Sequence, residues 1–160
     1  MRTTLFMTLV FLIIFSFPFN SYSQAPFAEE SPAKTDLREA VFRYMFGHYN
    51  YGPDVKVFCI QPERPLPESF LLRFSGNNKP RVVWVSDCEL TGAVNGVKQK
   101  KTGERGVRMT VMSIEWIGGQ EAEAKVSAFS DGIAANWNVL RVVFREGRWI
   151  VKSDKLDGVS

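Results

Sequence analysis

The apolar positions of the C-terminal half alternate. They run Val107, Met109, Val111 and then, one place out of step, Met112, Ile114, Trp116. Alternation predicts a strand with one buried face, because successive side chains of a strand point to opposite sides. The change of parity predicts either a β-bulge carrying one extra residue or a stretch buried on both faces. Gly118-Gly119-Gln120 predicts a turn. Residues 121–129 then place Ala122, Ala124, Val126 and Ala128 on one face and Glu121, Glu123, Lys125 and Ser127 on the other. A buried face of such small side chains predicts either a helix pressed close or a cavity. Residues 137–145 form a third strand, with Leu140, Val142 and Phe144 on one side and Trp137, Val139, Arg141 and Val143 on the other. Glu146-Gly147 turns the chain back into residues 148–151. A two-residue loop there sets Phe144 opposite Trp149 and Val142 opposite Val151; a three-residue loop slips that register by one.

The upstream half predicts a helix and shorter strands. A helix starts near Asp36, which forms a capping box with Glu39. Leu37, Ala40, Val41, Tyr44, Met45 and His48 share one helical face, which Phe42 and Phe46 widen. Asn50, Gly52 and Pro53 end it. Residues 55–60, with Cys59, form a strand. Pro62, Pro65 and Pro67 force a loop, and a short helix runs from Pro67 to Phe74 with Phe70, Leu71 and Phe74 inward and Gly76 as its stop. Residues 81–85 are a strand leading to Cys88. Residues 91–105 read either as a strand over 94–100 that returns through 101–104, or as a disordered loop.

The N-terminus changes the picture of where the chain works. Met1-Arg2 is followed by an apolar run over residues 5–19 and a polar end at Asn20-Ser21-Tyr22-Ser23. That order predicts a secretory signal peptide cut near Ser23. The alternative is a membrane anchor, but a span needs about 20 apolar residues and this run is shorter, with Pro18 near its end. The expected organisation is a signal peptide over 1–23, a flexible lead-in over 24–35, one domain over 36–156 and a tail over 157–160. The product is expected to be exported, periplasmic or extracellular, with no membrane attachment after cleavage. The formal net charge of the 160-residue chain is +3. The leader's Arg2 lowers it by one, and no particular partner is implied.

Composition limits the chemistry. Cys59 and Cys88 are the only cysteines, and in an oxidising compartment two thiols pair. The expectation is an internal bridge; the rivals are two buried free thiols or an intermolecular link. His48 is the only histidine, so a Ser-His-Asp or Cys-His unit would have to use it, and no partner residue is visible for it. With the cysteines oxidised, no zinc site of ordinary composition can be assembled, and no metal or cofactor is expected. Lys98, Lys100, Lys101, Arg105 and Arg108 form a basic cluster without interleaved aromatics. It reads as a solvated hairpin tip, not a nucleic-acid surface. Asp87, Glu89, Asp131, Asp154 and Asp157 are scattered carboxylates, read mostly as turn residues.

The order helix, strand, short helix, strand, antiparallel meander, together with Arg145-Glu146-Gly147-Arg148-Trp149, resembles the NTF2-like (cystatin-like) superfamily over about residues 36–154. In its last hairpin a charged-Gly-Arg/Lys-Trp turn is common. Residues 38–46, the two cysteine strands and the Ser153-Asp154 ending are also similar to a group of small secreted bacterial proteins without an assigned function. The resemblance implies an α+β fold, an N-terminal helix packed in a curved antiparallel sheet that forms a cone. It implies no single activity, because members include isomerases, dehydratases, ligand binders and assembly modules. No catalytic motif matches residue by residue, so no catalytic residue is assigned and the expectation leans away from an enzyme. The leading expectation is binding of a small apolar ligand or a partner protein. The alternatives are an acid/base enzyme in the cone cavity and an assembly module that pairs, or oligomerises, through the sheet face. The candidate pocket is lined by Tyr44, His48 and Trp116; the rival is a solid core in which Tyr44 and His48 bond backbone carbonyls.

Overall fold

The computed structural model describes residues 32–49, 51–91, 96–130 and 135–159. The expected signal peptide, most of the expected lead-in, Asp131 and the Asn95 end of the Asn95-Gly96 turn lie outside the described residues. One helix packs on a mixed, open sheet of eight strands, an α+β architecture.

Helix α1 spans Pro32–His48. It starts four residues before the expected Asp36, with Pro32 as its first residue, where the missing N–H and fixed φ cost nothing. Asp36 therefore lies inside the helix and forms no capping box. Asp36 and Glu39 instead both accept hydrogen bonds from Arg73 Nη1, at 2.8 Å each. Leu37, Val41, Phe42 and Met45 are fully buried, as the 3.6-residue period requires. Arg38, only 4 % exposed, forms an ion pair with Glu63.

The strands are β1 Val57–Gln61, β2 Arg81–Trp84, β3 Cys88–Leu90, β4 Val97–Gln99, β5 Arg105–Gly118, β6 Glu121–Phe129, β7 Ala135–Arg145 and β8 Arg148–Val159. The main path runs β2-β1-β5-β6-β7-β8, with β4 beside the start of β5 and β3 beside β4. The expected all-antiparallel sheet is corrected at one end: β1 runs parallel to both β2 and β5. The excursion from β1 to β2 passes through the short helix α2, Ser69–Leu72, and is long enough for a parallel crossover. Phe70 of α2 and Phe74 just beyond it are buried while Leu72 faces solvent.

The meander from β5 to β8 is antiparallel throughout. Its register shifts between Val111 and Ser113, so the parity change marks a bulge, and Met112 is exposed there while Ile114 returns to the face opposite Ala124. The β7–β8 turn is the two-residue loop Glu146-Gly147, both at positive φ (53° and 78°), the conformation that matches the twist of paired strands. Phe144 accordingly faces Trp149, with ring centroids 5.3 Å apart, and Val142 faces Val151.

Both faces of β1 are covered. Phe58 and Ile60 join the main core under α1, while Val57 and Cys59 join a second cluster with Cys88 and Val97. The Cys59–Cys88 disulfide ties β3 to β1. It passes beside Gly106 of β5, where a Cβ would stand 3.2 Å from Cys59 Sγ and 3.1 Å from the Val57 carbonyl oxygen. Carbon contacts are comfortable at roughly 3.5–4.0 Å, so a side chain there would have to push the bridge or the Val57 carbonyl aside by a few tenths of an ångström.

Candidate functional site

The C-terminal end of α1 and the segment just beyond it carry the histidine and all three tyrosines of the described residues. Tyr44 and His48 are four residues apart and so share a helix face; their rings stack with centroids 4.5 Å apart. Tyr49 follows directly, and its ring stands nearly perpendicular to those of Tyr44 (83°), His48 (72°) and Tyr51 (83°). The Tyr51 hydroxyl donates to the Met45 carbonyl oxygen at 3.3 Å, which folds the post-helix segment back on the helix end.

The sheet supplies the partner group. Asp154 of β8 lies opposite Leu140 of β7, on the buried face, and its side chain is only 10 % exposed. Asn138, two residues before Leu140, projects to the same face and is buried. The Tyr44 and Tyr49 hydroxyls each donate to Asp154 Oδ2 at 3.2 Å. Asn138 Nδ2 donates to Asp154 Oδ1. His48 Nε2 stands 3.8 Å from Oδ2, outside hydrogen-bond reach, and its side chain is 55 % exposed. The carboxylate is thus held by three neutral donors.

These contacts keep the phenols protonated. Burial pushes the Tyr44 hydroxyl up to about 12, and the neighbouring Asp154 charge and hydrogen bond push the same way. Tyr49 and Tyr51 are raised further, again chiefly by burial, with Asp154 adding to both. At neutral pH all three remain hydrogen-bond donors.

An open cavity of about 440 Å³ lies against this group, lined by His48, Tyr49, Tyr51, Asn138, Asp154 and, on the sheet side, Ala128, Ser130, Asn136 and Leu156. Ala128 leaves space there because its side chain ends at Cβ. Two further depressions flank it. One of about 370 Å³ lies beneath Tyr49 and Tyr51, against Phe46 and Phe58. The other, about 420 Å³, separates α1 from the β7–β8 hairpin and is lined by Tyr44, Arg43 and Trp149.

Of the three residues expected to line one pocket, His48 lines this cavity, while Tyr44 donates to Asp154 but lines the depression between α1 and the β7–β8 hairpin. Trp116 is elsewhere. It pairs with Ala122 at the opening of β6, whereas the cavity meets Ala128 six residues on, roughly 20 Å away along a strand. The Trp116 ring packs edge-on against Trp149, with centroids 5.4 Å apart. The residues missed by sequence reasoning are Asp154, Asn138, Tyr49 and Tyr51. Asn138 had a signal, since it shares the parity of Leu140, Val142 and Phe144. Asp154 had none: β8 continues to Val159, eight residues past Val151, and its register shifts between Val151 and Ser153. That bulge re-aims Asp154 inward, so it is not a turn residue.

The remaining candidates do not converge. Lys100 and Lys101 are exposed, Arg105 pairs with Asp54, and Arg108 donates to Gln61 Oε1 at 2.6 Å. Asp87 lies in a 3₁₀ turn, Glu89 is on β3, and Asp157 is exposed on β8. Among the described residues no three His, Cys, Asp or Glu side chains come together as metal ligands. No family model, curated protein or solved structure matches the chain.

Proposed function

We propose that this chain is an exported binding domain of NTF2-like type, whose cavity beside Asp154 takes a small ligand with an apolar body. The observation that carries the reading is a carboxylate fixed by Tyr44, Tyr49 and Asn138 at the wall of an open cavity of about 440 Å³. Ligand sites typically occupy roughly 300–1,000 Å³ and combine apolar lining with a few convergent polar groups. Here Ala128, Leu156 and the tyrosine rings supply the first, and Asp154, Asn136 and Asn138 the second. Export rests on the leader pattern and on the disulfide, which belongs to an oxidising compartment. Among the described residues no helix is long and apolar enough to cross a membrane.

An acid/base enzyme is the second reading, favoured by His48 beside a carboxylate in a cavity. It is weaker because Asp154 Oδ2 already accepts from two hydroxyls. A general base needs a lone pair directed at substrate. An assembly module has less support still, since the outer sheet face carries the charged row Glu115, Glu123 and Arg141 across three strands.

The test is a small-molecule screen followed by NMR on the purified protein. Hits should perturb His48, Tyr49 and Asn138, and Leu156→Trp, which puts a larger side chain at the cavity wall, should abolish binding. Hits unaffected by Leu156→Trp would place the site elsewhere. Turnover lost in His48→Ala would promote the enzyme reading.

A further inference from the structure

The cavity carries an unbalanced charge. Asp154 is nine-tenths buried, yet among the described residues no lysine or arginine pairs with it. The one basic side chain within 4.0 Å is His48, at 3.8 Å and more than half exposed. Burying an ionised carboxylate is costly unless it is hydrogen-bonded or paired. Six other carboxylates among the described residues pair with arginine: Glu63 with Arg38, Asp36 and Glu39 with Arg73, Asp54 with Arg105, Glu104 with Arg81 and Glu121 with Arg141. Asp154 is instead served by phenols and an amide. These donors hold the carboxylate in place and leave its negative charge facing the cavity.

The walls suit a positive occupant. The rings of His48, Tyr49 and Tyr51 line the same cavity as Asp154. Tyr49 stands at 72° to His48 and 83° to Tyr51, with centroids 5.8 and 6.1 Å away, so neighbouring ring planes form corners and not a stack. The face of an aromatic ring attracts cations, and cages of several rings recognise quaternary ammonium groups. Tyr49 and Tyr51 also hold their protons, raised chiefly by burial. Leu156 and Ala128 offer an apolar flank beyond the rings. An anionic ligand would meet the Asp154 charge with no lysine or arginine among the described residues of that wall to offset it.

We propose that the ligand of this cavity is a small organic cation, an ammonium group seated against Asp154 and the rings of Tyr49 and Tyr51. The proposal rests on the binding reading above and specifies its ligand class. Its test compares three probes of similar size on the purified protein at constant ionic strength: tetramethylammonium, tert-butanol and pivalate. Side-chain resonances of Asn138, Tyr49 and His48 report occupancy. Tetramethylammonium should perturb them with an apparent affinity at least tenfold above tert-butanol, and pivalate should leave them unmoved. Asp154→Asn should erase the advantage of the cation over the alcohol, and Tyr51→Leu should weaken the cation more than the alcohol. The wild-type comparison decides the matter even where a variant folds poorly. Equal or tighter binding of tert-butanol or pivalate in the cavity would overturn the cation proposal while leaving the binding reading standing. Silence from all three probes would also overturn it. If the broader screen then found no cavity ligand either, the binding reading would fall as well.

Discussion

Asp154 sits directly across the sheet from Leu140, so a carboxylate occupies a position on the buried face that the strand pattern would give to an aliphatic side chain. The bulge just before it creates this placement. Two residues of β8, Lys152 and Ser153, span the step that Arg141 spans on β7, and the next residue is turned to the core. Bulges commonly re-aim side chains beside functional sites. Here the effect is to put an acid under the C-terminal end of α1, where Tyr44 and Tyr49 can reach it.

The tyrosines should titrate late. Burial, with the Asp154 charge behind it, raises Tyr44 to about 12, and Tyr49 and Tyr51 are raised further. An unperturbed phenol titrates near 10. Ultraviolet titration of the folded protein should therefore show little tyrosinate from these residues until well above pH ~10. A folded value above the unfolded one means that the contribution to stability is complete below pH ~10 and is lost as the pH climbs toward ~12. The melting temperature should fall along that alkaline limb. In Asp154→Asn the Tyr44 and Tyr49 transitions should move down but stay above the ordinary value, because burial remains. Unchanged transitions in that variant would show that Asp154 does not act on them.

Glu63 should matter more than a surface acid. Its oxygens accept from Arg38 Nε at 3.1 Å and from Nη2, while Nη1 reaches the Lys34 carbonyl oxygen at 3.1 Å. The guanidinium is almost completely buried. Removing one partner of such a pair typically costs about 3–5 kcal/mol. Glu63→Ala is expected near the lower end, about 3 kcal/mol, in urea unfolding. The double variant Arg38→Met/Glu63→Leu should recover most of that loss, since an apolar pair of similar volume often replaces a buried ion pair without penalty.

The disulfide closes a loop between positions 29 apart. The chain-entropy model assigns a loop of that length about 3.5 kcal/mol, a large part of a typical total of roughly 5–15 kcal/mol. Cys59→Ala/Cys88→Ala, or reductant, should lower the melting temperature by roughly 10 °C. Thiol titration of the native protein should find none. Two reactive thiols before reduction would remove the bridge from the account.

How much of this was visible in the chain depends on what kind of rule fixes each feature. The buried face of β6 was legible because four small apolar residues alternate with Glu121, Glu123, Lys125 and Ser127, and alternation follows from strand geometry alone. The Phe144–Trp149 pairing was legible because Glu146-Gly147 can form a two-residue turn. The direction of β1 was not, since a short apolar run carries no mark of whether its neighbours run parallel. Asp36 and Glu39 have the spacing of a capping box but serve Arg73 instead, a partner 34 or more residues away that no local rule finds. At the site, the helical period gave the shared face of Tyr44 and His48, but not that only His48 of the two lines the cavity. Asp154 was hidden by a bulge that leaves no signature in residue type. Trp116 was attached to the wrong end of the sheet because alternation gives the face of a residue but not its distance from the helix terminus.

The Asp154 cluster makes a further prediction that separates its hydrogen bonds from its charge. Asp154→Asn keeps the shape and one acceptor, and the Asn138 amide can reverse to accept from the new amide. The retained oxygen then still accepts from both Tyr44 and Tyr49, and only the strength given by the carboxylate's charge is lost, at a cost of about 1 kcal/mol. Asp154→Leu removes every acceptor at once. Tyr44, Tyr49 and Asn138 then each present a donor to an apolar neighbour. A buried donor left unsatisfied costs roughly 1–3 kcal/mol, less where water reaches it, so the leucine variant should lose about 2 kcal/mol more than the asparagine variant. The comparison is made from urea midpoints at neutral pH, with the slope checked for constancy so that the difference reports stability alone. Equal losses would mean that the donors find water as easily as the carboxylate, and that Asp154 is held for its charge and not for the fold. A leucine variant as stable as wild type would show that the three hydrogen bonds contribute nothing to stability, and the positioning of Asp154 would then need another cause.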